Sequence, residues 1–318
     1  MSAECLVKDA AGVVQIASAA AALASGEVLQ LPDGRAGYVA GLHAVAAGDP
    51  AAIQAMGVVT LPKTASVVVL KGDLIYWDRS ANTATPLQAV TGADFKIGVA
   101  VADAAAADAT VDVELNGRPK YLISLVDLFD TVLVLTAGTP AMSMGPGYSK
   151  LAFSATAEAQ KVDILSKQSV PVTIPFIVEG RIAIYDIGDE ASVDINVGLA
   201  NATHATDADS ITERMFLHLD GTSLNIMAES GDGTTTVASV DTTVDAVDDT
   251  FFDFRMDCRN LADIQLYING VNVLPATVFR LDAATGPLKL LAHIEKGAND
   301  TPGDVRIAHL AIRTMDVE

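Results

Sequence analysis

Aromatic residues are scarce in this chain of 318 residues, at 5% of the total with a single Trp, while half of all residues are hydrophobic. Ala and Val therefore carry the apolar content, which favours many small, closely packed elements over a few large aromatic cores. Basic residues are also short: 20 Lys and Arg stand against 40 Asp and Glu, for a formal net charge of −20 and a pI near 4.4. This balance argues against a nucleic-acid partner, because phosphate binding needs clustered Lys and Arg. It also works against anionic membrane surfaces and suits a highly soluble protein that does not adhere to its neighbours.

Cysteine is nearly missing. Cys5 and Cys258 lie far apart, so no disulfide is expected, and no CxxC-type metal motif is present. The opening "MSAECLVKDA" carries an acid and no basic segment ahead of an apolar core, so no secretory signal is expected. The most apolar run, Tyr121–Leu135, is broken by Asp127 and Asp130 and is too short to span a bilayer.

Motifs of known chemistry are missing too. The chain has no P-loop, no GxGxxG after a strand, no HExxH and no GxSxG. No two of His43, His204, His218, His293 and His309 stand at metal-ligand spacing. His218 and His309 fall within alternating strands and read as packed or surface imidazoles. Acids gather at Asp207 and Asp209 and again at Asp241, Asp245, Asp248, Asp249, Asp253 and Asp257. In so acidic a chain such clusters read as solvated loops, and EF-hand spacing is absent. Asp207, Asp209 and Asp248 are the least arbitrary calcium candidates. A glycosidase carboxylate pair can be drawn in many ways, which deprives the pattern of weight. No catalytic residue and no organic cofactor is nominated, and the chain does not read as an enzyme.

What is present is β-structure. "ASAAAALASG" (Ala17–Gly26) predicts one short helix, since Ala is the best helix former and Gly26 would stop it. Elsewhere short apolar runs are punctuated by Gly, Asp, Asn and Pro, the pattern of an all-β protein. Gly26-Glu27, Gly48-Asp49 and Gly72-Asp73 each precede an apolar run, a spaced series of turns that suggests a small barrel or rolled sheet. "VDVELNGRPKYL" closes that module with an alternating strand and an Asn116-Gly117 turn, placing a boundary near Arg118: domains 1–118 and 119–318, with residues 1–15 a flexible arm. Beyond it, eight runs such as "RIAIYDI", "RMFLHLDG", "FFDFRMDC" and "VRIAHLAIRTM" show period-2 alternation and fit a two-sheet sandwich.

"KGDLIYWD" holds the only Trp beside a Tyr, between Asp73 and Asp78. Strand alternation gives Leu74 and Tyr76 one face and Ile75 and Trp77 the other, so the two aromatics do not form one platform for a sugar. Trp77 reads as a core or subunit-interface anchor.

The stretches "SGEVLQLPDGRAGYVAG", "AAGDPAAIQAMGVVTLPKTASVVVLKGDLIYWD", "ATPLQAVTGADFKIGVAVADA" and "VDVELNG" together resemble the capsid decoration (head cement) proteins of tailed bacteriophages, over roughly residues 10–117. "RIAIYDIGDEASVDINVGLAN", "FFDFRMDCRNLADIQLYINGVNV" and "VRIAHLAIRTMDV" resemble laminin-G or concanavalin-like jelly-roll sandwiches over about residues 119–318. The first resemblance implies a virion protein, made in the host cytoplasm, that sits as a homotrimer on the outer surface of the head. There it clamps the major capsid protein, with Pro62, Lys63, Tyr76 and Trp77 at capsid or subunit interfaces and the sandwich projecting outward. The second resemblance keeps an alternative open, a glycan-binding adhesin displayed on the virion. The Asp and Asn sugar-site pattern of legume lectins is not evident.

Overall fold

The computed structural model describes residues 12–314 apart from 17, 42, 89–92, 120–122, 125–131, 156, 186–192, 206, 222 and 299–302. Strands dominate it, and the chain divides into two compact units, Met1–Pro119 and Lys120–Glu318. Among the described residues the only helical element is one 3-10 turn, Ala208–Ser210, and no helix is long and apolar enough to cross a membrane. Cys5 and most of the expected N-terminal arm lie outside the described residues, as do parts of the Tyr121–Leu135 run. Cys258 is free and buried, and burial pushes its thiol well above the usual range.

The first unit holds two sheets. One orders β1 (Val13–Ile16), β4 (Ala51–Gln54), β3 (Ala36–Val39) and β2 (Val28–Gln30), all antiparallel. The other orders β5 (Val58–Pro62), β9 (Thr110–Leu115), β8 (Phe95–Ala100), β6 (Leu74–Asp78) and β7 (Thr83–Thr85). This second sheet rolls until its two outermost strands meet at the Lys63–Ala84 bridge. Strict alternation drives the curl: Val111, Val113 and Leu115 of β9 point inward while Thr110, Asp112 and Glu114 face solvent. Leu61, Ile75, Trp77, Phe95 and Ile97 belong to the same core as Val111 and Val113, and Val28 and Ala36 of the first sheet join it.

The spaced Gly-acid turns prove structurally equivalent. Gly26 N–H donates to Val39 O at 3.1 Å and Val39 N–H to Glu27 O at 2.9 Å. The same pair of hydrogen bonds joins Gly48 and Asp49 to Ala19, and Gly72 and Asp73 to Ala100. All three glycines have positive φ, 73°, 93° and 83°, which a residue with a Cβ adopts only at a cost. A fourth turn, Ala105–Asp108, is closed by an acid without a glycine: Asp108 Oδ2 accepts from Ala105 N–H at 2.7 Å. The segments beside these turns are joined through the bridges Leu23–Val45 and Val69–Ala104.

The expected helix at Ala17–Gly26 does not form. Ala19 N–H donates to Asp49 O, and Leu23 exchanges backbone hydrogen bonds with Val45, so pairing across the chain overrides the local preference of alanine.

The second unit is a two-sheet β-sandwich. One sheet runs β12 (Ala141–Gly145), β13 (Tyr148–Ala152), β24 (Asp304–Thr314), β15 (Phe176–Tyr185), β20 (Phe252–Cys258), β21 (Gln265–Ile268) and β22 (Val271–Asn272), with β10 (Ile123–Ser124) also on β24. The facing sheet runs β11 (Val132–Ala137), β14 (Gln160–Ser166), β23 (Lys289–Lys296), β16 (Asp194–Ala200), β17 (Glu213–Asp220), β18 (Asn225–Asp232) and β19 (Thr236–Asp245). Their inner faces meet in one core that includes Phe176, Phe254, Met256 and Leu310 from the first sheet and Ile164, Val197, Leu217 and Leu290 from the second. Strands β10 to β14 and β19 go beyond the eight alternating runs. Asp241 and Asp245, read from sequence as loop acids, belong to edge strand β19.

The outer face of the seven-stranded sheet is partly roofed. Ala208 and Ile211, from the segment that carries the 3-10 turn, pack on Leu165, Ala200, Phe216 and Leu291 of that face. Polar side chains beside this small apolar patch are thereby removed from water.

Candidate functional site

In the first unit, the four residues nominated for interfaces separate into two groups. Trp77 is 5% exposed and belongs to the core of the rolled sheet. Lys63 is equally buried, its Nζ donating to Val67 O at 2.6 Å and Thr64 O at 3.1 Å. Burial holds that ammonium below the ordinary lysine range, with Asp108 opposing the shift. Neither side chain is available to a partner in this fold. Pro62 is exposed and Tyr76 half-buried, both on the outer face of the rolled sheet.

That outer face carries the features sequence reading missed. Val58, Thr60 and Pro62 of edge strand β5 all point to solvent, and Val58 is 59% exposed beside Met56 at 52%. Two large apolar side chains, with an exposed proline at the far end of the same strand beyond Thr60, line a sheet edge, where docking gains from removing water. The neighbouring strands add Asp112, which accepts from Thr60 Oγ1 at 2.6 Å, and Lys96, paired in register with Tyr76. The period-2 pattern of "MGVVTLP" contained the signal, but with Leu61 the one buried member the solvent side could not be told from the core side.

In the second unit, polar side chains converge on the outer face of the seven-stranded sheet. Strand register sets Asp163, His293, Asn196 and His218 in one row across β14, β23, β16 and β17. His293 and Asn196 are fully buried, and Asp163 is 1% exposed. His293 Nδ1 is bonded to Asp163 Oδ1. Its Nε2 has no hydrogen-bond partner and lies 3.7 Å from both Asp194 Oδ2 and Glu295 Oε2. Asn196 Nδ2 donates to Asp194 Oδ2 at 2.8 Å, while Asn196 Oδ1 has no partner.

His218 occupies the other end of the row. Its Nδ1 contacts Ser239 Oγ at 2.9 Å, and its Nε2 is 3.1 Å from Asp194 Oδ1. Burial works against its positive charge, but the bond to Asp194 and the nearby Asp209 and Glu229 outweigh it, raising the imidazole to about 9. Burial pushes Asp209 up to about 7, with His218 opposing. Glu295 is raised as well, mainly by burial. Arg214 and Glu229 form a buried pair at 2.6 Å, and Lys161 lies 3.5 Å from Asp163 and 4.0 Å from Glu295.

The three acids nominated for calcium do not form one site. Asp207 caps the 3-10 turn, its Oδ1 accepting from Asp209 N–H at 2.8 Å. Asp248 is exposed near the β19–β20 connection. Among the described residues, two groups of possible ligand atoms fall within 4.8 Å of one another: Asp194, His293 and Glu295, and Asp194, Asp209 and His218. Only Asp209 of the sequence candidates takes part. The histidines were passed over because linear spacing says nothing about which strands become neighbours, and strand register is what brings His293 beside Asp194.

Residues 7–115 match the family model described as phage cement protein, so the first unit resembles that family in sequence, over about a third of the chain. No curated protein sequence matches the chain. Among solved structures, the carbohydrate recognition domain of Emp47p is similar with a TM-score of 0.44 and 12% identity, over 60% of this chain and 93% of that one. An endo-acting O-glycanase of human gut microbiota that initiates mucin breakdown gives 0.44 and 12%, over 62% and 100%. The carbohydrate recognition domain of Emp46p in its metal-free form gives 0.43 and 11%, over 61% and 95%. Likenesses at that level carry no argument about what the second unit binds.

Proposed function

We propose that this chain is a phage capsid decoration protein that seats its first unit on the outer surface of the assembled head. The match of residues 7–115 to the phage cement family carries the reading. The structure supplies a physical account of the contact. A clamp needs no catalytic group, only shape-matched area buried between neighbours. The exposed apolar side chains of Met56, Val58 and Pro62, with Tyr76 on the same outer face, offer such area along strand β5.

Three copies around a local three-fold axis would let one edge strand face the capsid and another surface face a symmetry mate. Protein that binds only the assembled shell stabilises the shell by mass action. The sandwich is then carried on the particle surface, where a net charge of −20 per chain keeps particles apart. Mixing the purified chain with undecorated heads tests the reading: saturable binding supports it, and recovery of all the protein in the unbound fraction removes it.

A further inference from the structure

We propose that Asp194, His293 and Glu295, on the outer face of the seven-stranded sheet, hold a divalent transition-metal ion of the zinc class. The first argument is the state of His293. Its Nδ1 is engaged by a carboxylate, Asp163, that is itself 1% exposed. A carboxylate on Nδ1 fixes the proton there and leaves the Nε2 lone pair facing away from it, the arrangement that orients metal-binding histidines. Here Nε2 is fully buried and without a hydrogen-bond partner. A buried nitrogen left in that condition costs free energy unless something meets it.

What it faces is two carboxylates. Asp194 Oδ2 and Glu295 Oε2 each lie 3.7 Å from Nε2, too far for a hydrogen bond and close enough to share an ion. Zinc holds nitrogen and oxygen ligands at about 2.0–2.2 Å, so two ligands at the tetrahedral angle stand roughly 3.4 Å apart. Small side-chain rotations close the difference.

Charge balance points the same way. Asp163, Asp194 and Glu295 gather around the His293 ring, and one ammonium, that of Lys161, reaches two of them, Asp163 and Glu295. The adjoining charges pair largely among themselves: Glu229 with Arg214 at 2.6 Å, and Asp209 with His218 at 3.5 Å, the latter ring also reaching Asp194 Oδ1 at 3.1 Å. A dication neutralises the remaining negative charge. Asn196, fully buried in the position paired with His293, adds an amide oxygen without a partner in the same row. A nitrogen ligand in a compact set of this kind favours zinc over calcium, which takes six to eight oxygens.

The test is zinc titration of the full chain after dialysis against chelator, followed by calorimetry and metal analysis. One equivalent of Zn2+ per chain is expected, with a rise in the unfolding temperature of the second unit. Co2+ in its place should give visible absorption bands of a nitrogen- and oxygen-ligated ion. Glu295→Gln, at a half-buried position, should weaken Zn2+ at least tenfold with the circular dichroism unchanged. His293→Gln should abolish the Co2+ bands. If His293→Gln does not fold, Glu295→Gln alone decides. Absence of Zn2+ binding by the native chain, Ca2+ binding in its place, or Zn2+ affinity that Glu295→Gln leaves intact each overturns the proposal.

Discussion

Asn116 and Ala36 exchange two hydrogen bonds across 80 residues of chain: Ala36 N–H donates to Asn116 Oδ1 at 2.8 Å, and Asn116 Nδ2 donates back to Ala36 O at 3.0 Å. The same amide also donates to Ala55 O at 2.7 Å. One side chain thus joins strand β3, the end of β4 and the end of β9, tying the two sheets of the first unit together. Asn is suited to this because its φ of 59° lies in the left-handed region, which Asn tolerates better than most residues.

Asn116→Ala should therefore destabilise the first unit by about 2–4 kcal/mol, since it leaves partly buried backbone groups unpaired and keeps an unfavourable φ. Asn116→Gly removes only the bonds and relieves the backbone, so it should cost less. Chemical denaturation of both variants, with each unit's transition resolved, checks the order. Equal losses would show that backbone strain contributes nothing.

Gly98 lies in β8 where the paired strand comes very close. A Cβ built there would stand 1.9 Å from Glu114 O, a backbone atom that cannot rotate away. Gly98→Ala should cost about 3 kcal/mol or more, or prevent the first unit from folding, because the β8–β9 pairing must open to admit one methyl group. Thermal unfolding measures it. A loss below about 1 kcal/mol would show that the strands separate easily.

Glu213 is 5% exposed and gathers four hydrogen bonds. Thr285 N–H and Oγ1 donate to its Oε1 at 2.7 and 3.0 Å, and Gly286 N–H and Asn201 Nδ2 to its Oε2, both at 3.1 Å. Burial alone would raise its carboxyl, but these donors outweigh burial and hold it below its ordinary value of 4.5. A depressed native pKa means that the unfolded chain takes up the proton first. The stabilisation is complete above the unfolded value and is lost as pH falls through the native one. Glu213→Gln should cost about 1–3 kcal/mol at pH 7 and flatten the decline in stability of the second unit below about pH 4.5. Denaturation midpoints between about pH 3 and 7 check this.

The core side of strand β6 and the exposed side of edge strand β5 should respond in opposite ways. Val58→Asp combined with Pro62→Ser alters exposed positions and should leave unfolding within about 0.5 kcal/mol while weakening attachment to heads at least tenfold. Trp77→Ala should cost about 3–5 kcal/mol in the first unit, since its side chain fills the rolled-sheet core. Pull-down on heads together with calorimetry separates the two. Full attachment by the surface variant would move the docking face elsewhere.

The alternation of "TVDVEL" and "LIYWD" was legible from sequence because period-2 patterning is local, and it placed Trp77 and Ile75 on one side and Tyr76 on the other. The glycine-acid turns were legible for the same reason, since φ preference belongs to the residue. The fourth turn at Ala105–Asp108 was not, because alanine there carries no such mark. The helix expected at Ala17–Gly26 failed where Leu23 found Val45, a partner outside any local window. The polar cluster around His293 lay beyond reach for a related reason. Its members come from strands whose lateral order, β14-β23-β16-β17, bears no relation to their order in the chain. Even the calcium candidate Asp209 was found for its acidity alone, without the His218 it faces.

The most direct test of the account is a cryo-EM reconstruction of undecorated heads after incubation with the full chain. The expected result is density for the first unit on the outer shell at three-fold and quasi-three-fold positions, with strand β5 against the capsid surface and a higher temperature of head disruption. Heads that remain bare at saturating protein, or that carry it by the sandwich with the first unit free, would contradict it.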